Sequence, residues 1–280
     1  MSTRPTARQQ AREQTMQRIL EISRTQLETH GVAGLSLREV TRELGMVSSA
    51  VYRYVAGRDE LLTLLLVDAY EDLANTVDAA LAAPRGPAPV DSPVGSATAS
   101  DPVDPSPSPR PARERLLTLA LAMRDWAVAH RAQWTLLYGT PVAEYHAPAE
   151  ATTAPGTRVI GRVLEIVVGA QDGDAASSGA GSVPPPQQPT SSDTAPSPDP
   201  APPAPRPLSA PLAHLLTAAG AELGTPEATA PQLARAAAFF SATVGALNAE
   251  LFTQWGPQFT EHGQELFTAQ IEVLLEAVVD

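Results

Sequence analysis

Between Ser36 and Leu61 the chain reads SLREVTRELGMVSSAVYRYVAGRDEL. Arg38, Arg53 and Arg58 carry permanent cations there, and Ser36, Ser48, Ser49, Tyr52 and Tyr54 carry hydroxyls. Guanidinium and hydroxyl groups donate to phosphate oxygens, and a guanidinium also reaches acceptors on base edges. The set therefore suits a polyanionic duplex better than a reaction on a small molecule. No nucleophile–base spacing, phosphate loop or metal-ligand cluster accompanies it, so no catalytic residue is assigned. The five histidines are scattered without an H-x-x-x-H pair and cysteine is absent, so no metal and no cofactor are expected.

These side chains need elements to hold them. Two short segments of helical apolar period meet at Gly45, where a positive φ is cheap only without a Cβ. With Leu37 as the start, Val40, Leu44, Met46, Val51 and Tyr54 fall where two crossed helices need apolar contacts. Ser36 is expected to cap the first helix, with Glu39 completing a capping box. The second helix is expected to carry Ser48, Ser49, Tyr52, Arg53 and Tyr54. Small residues at its start allow close approach to a groove, where backbone N–H groups favour phosphate. This is the layout of a helix-turn-helix. An ordinary helical hairpin shares its apolar spacing, and Tyr52 and Tyr54 also suit half-buried packing.

The stretch resembles the DNA-binding domain of tetracycline-repressor (TetR) family regulators over about residues 13–70. Leu44-Gly45, Tyr52, Tyr54 and Arg58 stand at its signature positions. The resemblance implies base contact from Arg38, a recognition-helix entry at Ser48 and Ser49, phosphate contact from Tyr54 and a phosphate clamp at Arg58. Departures are Thr41 at a helix crossing that is usually Ala, Val47 at a position often Ser or Thr, and Val55 for a commoner Phe. With Val47 there, Ser48 is the alternative cap.

The balance of charge fits this placement. Net charge is −12, yet residues 1–60 hold nine arginines against seven acidic side chains. The remainder is strongly acidic, so positive charge concentrates at the N-terminal end. All 19 basic residues are arginine. Residues 84–111 and 171–207 hold 9 and 11 of the 28 prolines and read as disordered or extended insertions. Arg4, Arg8 and Arg12 read as a solvated terminus or an arm reaching phosphate. No signal peptide or membrane span is read, and a cytoplasmic, nucleoid-associated protein is expected.

The expected fold is all-α. A three-helix helix-turn-helix domain occupies residues 1–60, and a helical ligand-binding and dimerisation domain occupies 61–280. A helix from about Arg12 to His30 precedes the motif. One from about Arg58 to Ala83 is long enough to run into the second domain. Further on, Trp126, His130, Trp134 and Tyr138 recur every fourth residue, along one face of a helix. Trp126, His130 and Gly139 resemble the hallmark Trp, His and Gly of one TetR branch. With Phe240 from a later helix, the four read either as an aromatic core or as one wall of a ligand pocket. Helices are also expected over 156–170, 208–223, 231–255 and 261–279. The resemblance implies that the last two pair with those of a second subunit. The function implied is a ligand-responsive repressor that binds double-stranded DNA as a homodimer, with an unidentified small-molecule effector. An enzyme with an incidental N-terminal domain and a helical adaptor working through its Pro-rich segments are the other readings weighed.

Overall fold

In a computed structural model the described residues are 6–84, 110–177 and 207–279. They form eleven α-helices and no strand: α1 (Ala7–His30), α2 (Leu37–Leu44), α3 (Ser48–Val51), α4 (Arg58–Ala82), α5 (Ala112–Ala129), α6 (Arg131–Tyr138), α7 (Ala149–Gly156), α8 (Arg158–Ser177), α9 (Ala210–Glu222), α10 (Ala230–Leu251) and α11 (Gly263–Val279). The all-α expectation holds. Short 3-10 turns at Val32–Gly34 and Pro257–His262 complete the chain path.

α1 starts earlier than the apolar pattern suggested. Thr6 and Gln9 form a reciprocal capping box, with Thr6 N–H donating to Gln9 Oε1 at 2.8 Å. Arg8 and Arg12 therefore lie on the helix rather than on an arm, while Arg4 lies outside the described residues.

Two apolar cores form, and α4 runs through both. Leu61, Leu62 and Leu65 join Ile19, Leu27, Val40, Val51 and Val55 in a small N-terminal core. Further along the same helix, Ala69, Leu73, Ala74 and Val77 join Leu116, Met123, Trp134, Val163, Phe239 and Ile271 in a large one. Full burial of each leucine contributes about 1.5–3 kcal/mol, so both ends of α4 are strongly anchored.

Polar contacts fix which neighbour sits beside each turn of α4. Arg24 of α1 grips Asp68 through two guanidinium nitrogens, with Nε–Oδ2 at 2.7 Å. Trp126 Nε1 of α5 donates to Asp72 at 2.7 Å. Asp78 accepts from Arg158 at 2.8 Å and Arg162 at 2.7 Å, both on α8.

Several boundaries differ from the sequence expectation. The run from Trp126 to Tyr138 is not one helix, because α5 ends at Ala129 and α6 begins at Arg131, with His130 at φ −122°, ψ 50° between them. α7 was unforeseen, since its sequence AEATTAPG contains Pro155 and ends in Gly. α8 continues to Ser177, into the stretch read as an insertion; residues 85–109 and 178–206 of the two Pro-rich stretches lie outside the described residues. In α10, Phe239 is the fully buried aromatic and Phe240 is half-buried. Arg110 donates to the carbonyl of Ala83, so the two edges of the first Pro-rich stretch meet.

Asp78 supplies a stability test. The Arg162 hydrogen bond, more than that of Arg158, holds its carboxyl below the usual 3.8. A carboxyl depressed on folding stabilises above the unfolded value and loses that contribution as pH falls through its folded value. Asp78→Asn is expected to lower stability at neutral pH by about 1 kcal/mol, a modest figure because the guanidiniums are well solvated. Denaturant titrations at several pH values should show the gap between parent and variant closing below about pH 4.

Candidate functional site

The turn between α2 and α3 is set by Gly45, at φ 65°, ψ 22°, whose N–H closes the helix onto Thr41 and Arg42 carbonyls. A side chain at that φ is strained, which explains the glycine. Val40 and Val51 are fully buried across the crossing, while Leu44, Met46 and Tyr54 pack at its edge. Thr41 fits where Ala is commoner because its hydroxyl donates to its own helix, to Leu37 O at 2.7 Å.

Two local expectations are corrected. Ser36 occupies the N-cap position of α2, but its hydroxyl caps nothing. Its N–H donates instead to Gln26 Oε1 of α1 at 3.1 Å, and Glu39 turns to Arg42 at 3.4 Å. The second helix is also shorter than expected. Regular α-helix stops at Val51, and Tyr52, Arg53 and Tyr54 continue it as a tightened turn, with Tyr54 N bonded to Val51 O at 2.8 Å. Val47 is the N-cap residue of α3, so Ser48 is not spent on capping.

The polar side chains separate into two kinds. Arg38, Ser48, Ser49, Tyr52 and Arg53 are exposed, and their side chains make no hydrogen bond or ion pair within the described residues. Tyr52, at 55% exposure, belongs to neither apolar core. Tyr54 and Arg58 are already engaged. The Tyr54 ring is half-buried under the guanidinium of Arg12, 5.4 Å from its centroid, a contact the sequence pattern did not reveal. Arg58 opens α4 and donates to Val32 O at 2.9 Å, which ties it to the 3-10 turn that follows α1. A guanidinium has five N–H donors, so this bond leaves Arg58 able to meet a phosphate as well.

The aromatic residues of the C-terminal body fall into two packed groups. Trp126 stacks on His130, with ring centroids 5.0 Å apart. Trp134 lies 4.6 Å from Tyr138, and Tyr138 meets Phe240 edge-on at 6.2 Å. Both indole N–H groups are spent on protein, that of Trp126 on Asp72 and that of Trp134 on Asn248 Oδ1 at 2.9 Å. His130 Nδ1 lies 3.0 Å from Trp126 O; a carbonyl only accepts, so that nitrogen carries the proton. Tyr138 Oη is buried with no partner, and burial pushes its phenol well above the ordinary value. Among the described residues no cluster suited to a metal ion appears, and no helix is long and apolar enough to cross a membrane.

A family model described as "Tetracyclin repressor-like, C-terminal domain" matches residues 116–274. The chain belongs to the tetracycline-repressor family. It is similar to an HTH-type transcriptional regulator of Mycobacterium tuberculosis, 48% identical over 168 residues, which is 60% of this chain and 62% of that protein. It therefore spans about three fifths of the length of that relative. An HTH-type transcriptional repressor of Streptomyces coeruleorubidus is 42% identical over 52 residues, 19% of each chain. Among solved structures, one described as a regulatory protein aligns with TM-score 0.62 and 26% identity, covering 97% of this chain and 100% of that one.

Within the region matched to the family, Trp126, His130 and Gly139 have a mechanical reading. Trp126 anchors α5 to α4, His130 breaks the helix, and Gly139 ends α6 where a Cβ would lie 2.4 Å from the Thr135 carbonyl oxygen. Gly139→Ala is expected to cost about 1–3 kcal/mol through that overlap. Trp126→Phe loses one hydrogen bond and part of a buried ring, for about 1–3 kcal/mol. Chemical denaturation should show both variants less stable than the parent.

Proposed function

We propose that this chain is a DNA-binding transcriptional regulator, a homodimeric repressor whose hold on a pseudo-palindromic operator is changed by a small molecule. One observation carries the DNA-binding part. Five donors around a two-helix crossing, Arg38, Ser48, Ser49, Tyr52 and Arg53, face solvent with no task inside the molecule. Membership of the tetracycline-repressor family and the relatives' description as HTH-type transcriptional regulators support the same reading. In it, Arg38, Arg53 and the Ser48/Ser49 edge select bases, while Ser36, Tyr52, Tyr54 and Arg58 position the protein on phosphate. The α3 turn enters a major groove. Two copies joined through α10 and α11 read half-sites about one helical turn apart, or somewhat more. Val273 of α11, 66% exposed, is the kind of residue such pairing would cover.

The effector acts on the large core through α4, the helix shared with the small core. The unpartnered Tyr138 hydroxyl, beside Trp134 and Phe240, marks the aromatic cluster as its neighbourhood, with Trp126 and His130 stacked at the end of the preceding helix. No catalytic role is assigned to any residue.

Selection of bound duplexes from random DNA tests the reading directly. Arg38→Ala is expected to relax preference at one base position at a cost of about 1–3 kcal/mol. Arg58→Ala is expected to weaken binding to every sequence and to reduce the salt slope by about one. Parent-like binding by both variants at all salt concentrations would remove the contact assignment. A protein that enriches no sequence would remove the function.

A further inference from the structure

A cleft of about 300 Å3 opens where α4, α6, α7 and the 139–148 connection meet. Leu66 and Tyr70 of α4 line it, opposite Leu136 of α6, Val142 and Tyr145 of the connection, and Thr152 of α7. No charged side chain lines it, whereas the clefts beside α1, α8, α10 and α11 each include charged groups. Its size lies at the lower end of small-molecule sites.

The hydrogen-bonding capacity left on its walls can be worked out. Thr63 Oγ1 donates its only proton to Asp59 O at 2.9 Å. Tyr145 must then be the donor in its 2.8 Å contact with Thr63, so its oxygen offers the cleft lone pairs only. Thr152 likewise donates to Pro148 O at 2.9 Å and keeps acceptor capacity. Tyr70 has no hydrogen-bond partner among the described residues, and burial raises its pKa, so its hydroxyl remains a protonated, unused donor. Its ring meets Tyr138 edge-on at 6.3 Å, linking the cleft to the aromatic cluster.

The position gives an occupant leverage. Leu136, Val142 and Tyr145 pack against the small core, whereas Leu137 and Tyr138 of the same helix pack against the large one. Leu66 follows directly on Leu65, the last α4 residue of the small core. We infer that this cleft is the effector site, that it takes an uncharged cyclic molecule of roughly bicyclic size bearing one acceptor for Tyr70 and one hydroxyl for Tyr145 or Thr152, and that its occupancy shifts α4 against the small core. This rests on the effector-responsive regulator proposed above. A carboxylate or ammonium in place of the neutral group would be desolvated here without a counter-ion.

The test titrates the full chain with 2-acetyl-6-hydroxynaphthalene and, in parallel, with its charged isostere 6-hydroxy-2-naphthoate, both followed by fluorescence. The ketone should bind at least about tenfold tighter than the carboxylate. Tyr70→Phe should weaken the ketone about three- to tenfold, and Thr152→Trp, which fills the cleft, should abolish its binding with circular dichroism and melting temperature close to the parent's. Saturating ketone should change affinity for duplexes selected from random DNA about fivefold or more. Equal binding of the carboxylate, an unchanged ketone affinity in Tyr70→Phe, retained binding in a folded Thr152→Trp, or a bound ketone that leaves DNA affinity unmoved would each overturn the inference. Failure to select any duplex would strike the regulator reading, while the two titrations would still decide the site.

Discussion

The rest of the fold depends on one continuous helix having to satisfy two cores at once. α4 gives Leu61, Leu62 and Leu65 to one and Ala69, Leu73 and Val77 to the other, with no break between them. Apolar burial is non-directional and sets how strongly the helix is held. The acidic side chains add direction. Asp68 engages α1, Asp72 engages α5 and Asp78 engages α8, each through donors of defined direction. An axial slip of one turn would leave all of these carboxylates facing the wrong partners. Each surface pair contributes little to stability, so their main effect is to select a register.

The aromatic cluster works by the same division of labour. Its rings fill volume, and the polar atoms on their rims choose neighbours. Trp126 and Trp134 each point one N–H at a specific acceptor on another helix, Asp72 of α4 and Asn248 of α10. Asn248 returns a bond to the carbonyl of Tyr138 at 3.2 Å, so α6 is bound to α10 at two places. The break at His130 separates the two indoles onto different helices, and α6 also touches α1.

Much of this was legible in the sequence, because helical period records which side of a helix is buried. Val40 and Val51 are fully buried where their spacing placed them. What spacing does not record is a change of backbone direction. Trp126, His130, Trp134 and Tyr138 keep a four-residue interval across a junction that is not helical. The choice of Phe239 over Phe240 for the core was ambiguous for a related reason, since both stand within one turn of Ala236 and Thr243. Around the α2–α3 turn, the exposed donors were readable from residue type alone. The capping box at Ser36 does not close because a distant glutamine on α1 takes the N–H that Glu39 would accept, and the Arg12–Tyr54 contact likewise joins residues far apart in the chain. The Thr6–Gln9 box, by contrast, was a local pattern available to be read.

α6 is only eight residues long, yet its flanks belong to different interiors, with Ala132 and Leu136 on one side and Trp134 and Leu137 on the other. It is therefore a fulcrum rather than a spacer. Rolling it even a few degrees withdraws side chains from one interior while crowding them into the other, so neither can loosen privately. Close-packed interiors resist such changes until they switch as a whole, which makes a short, doubly embedded segment a natural threshold element between the two halves of the molecule.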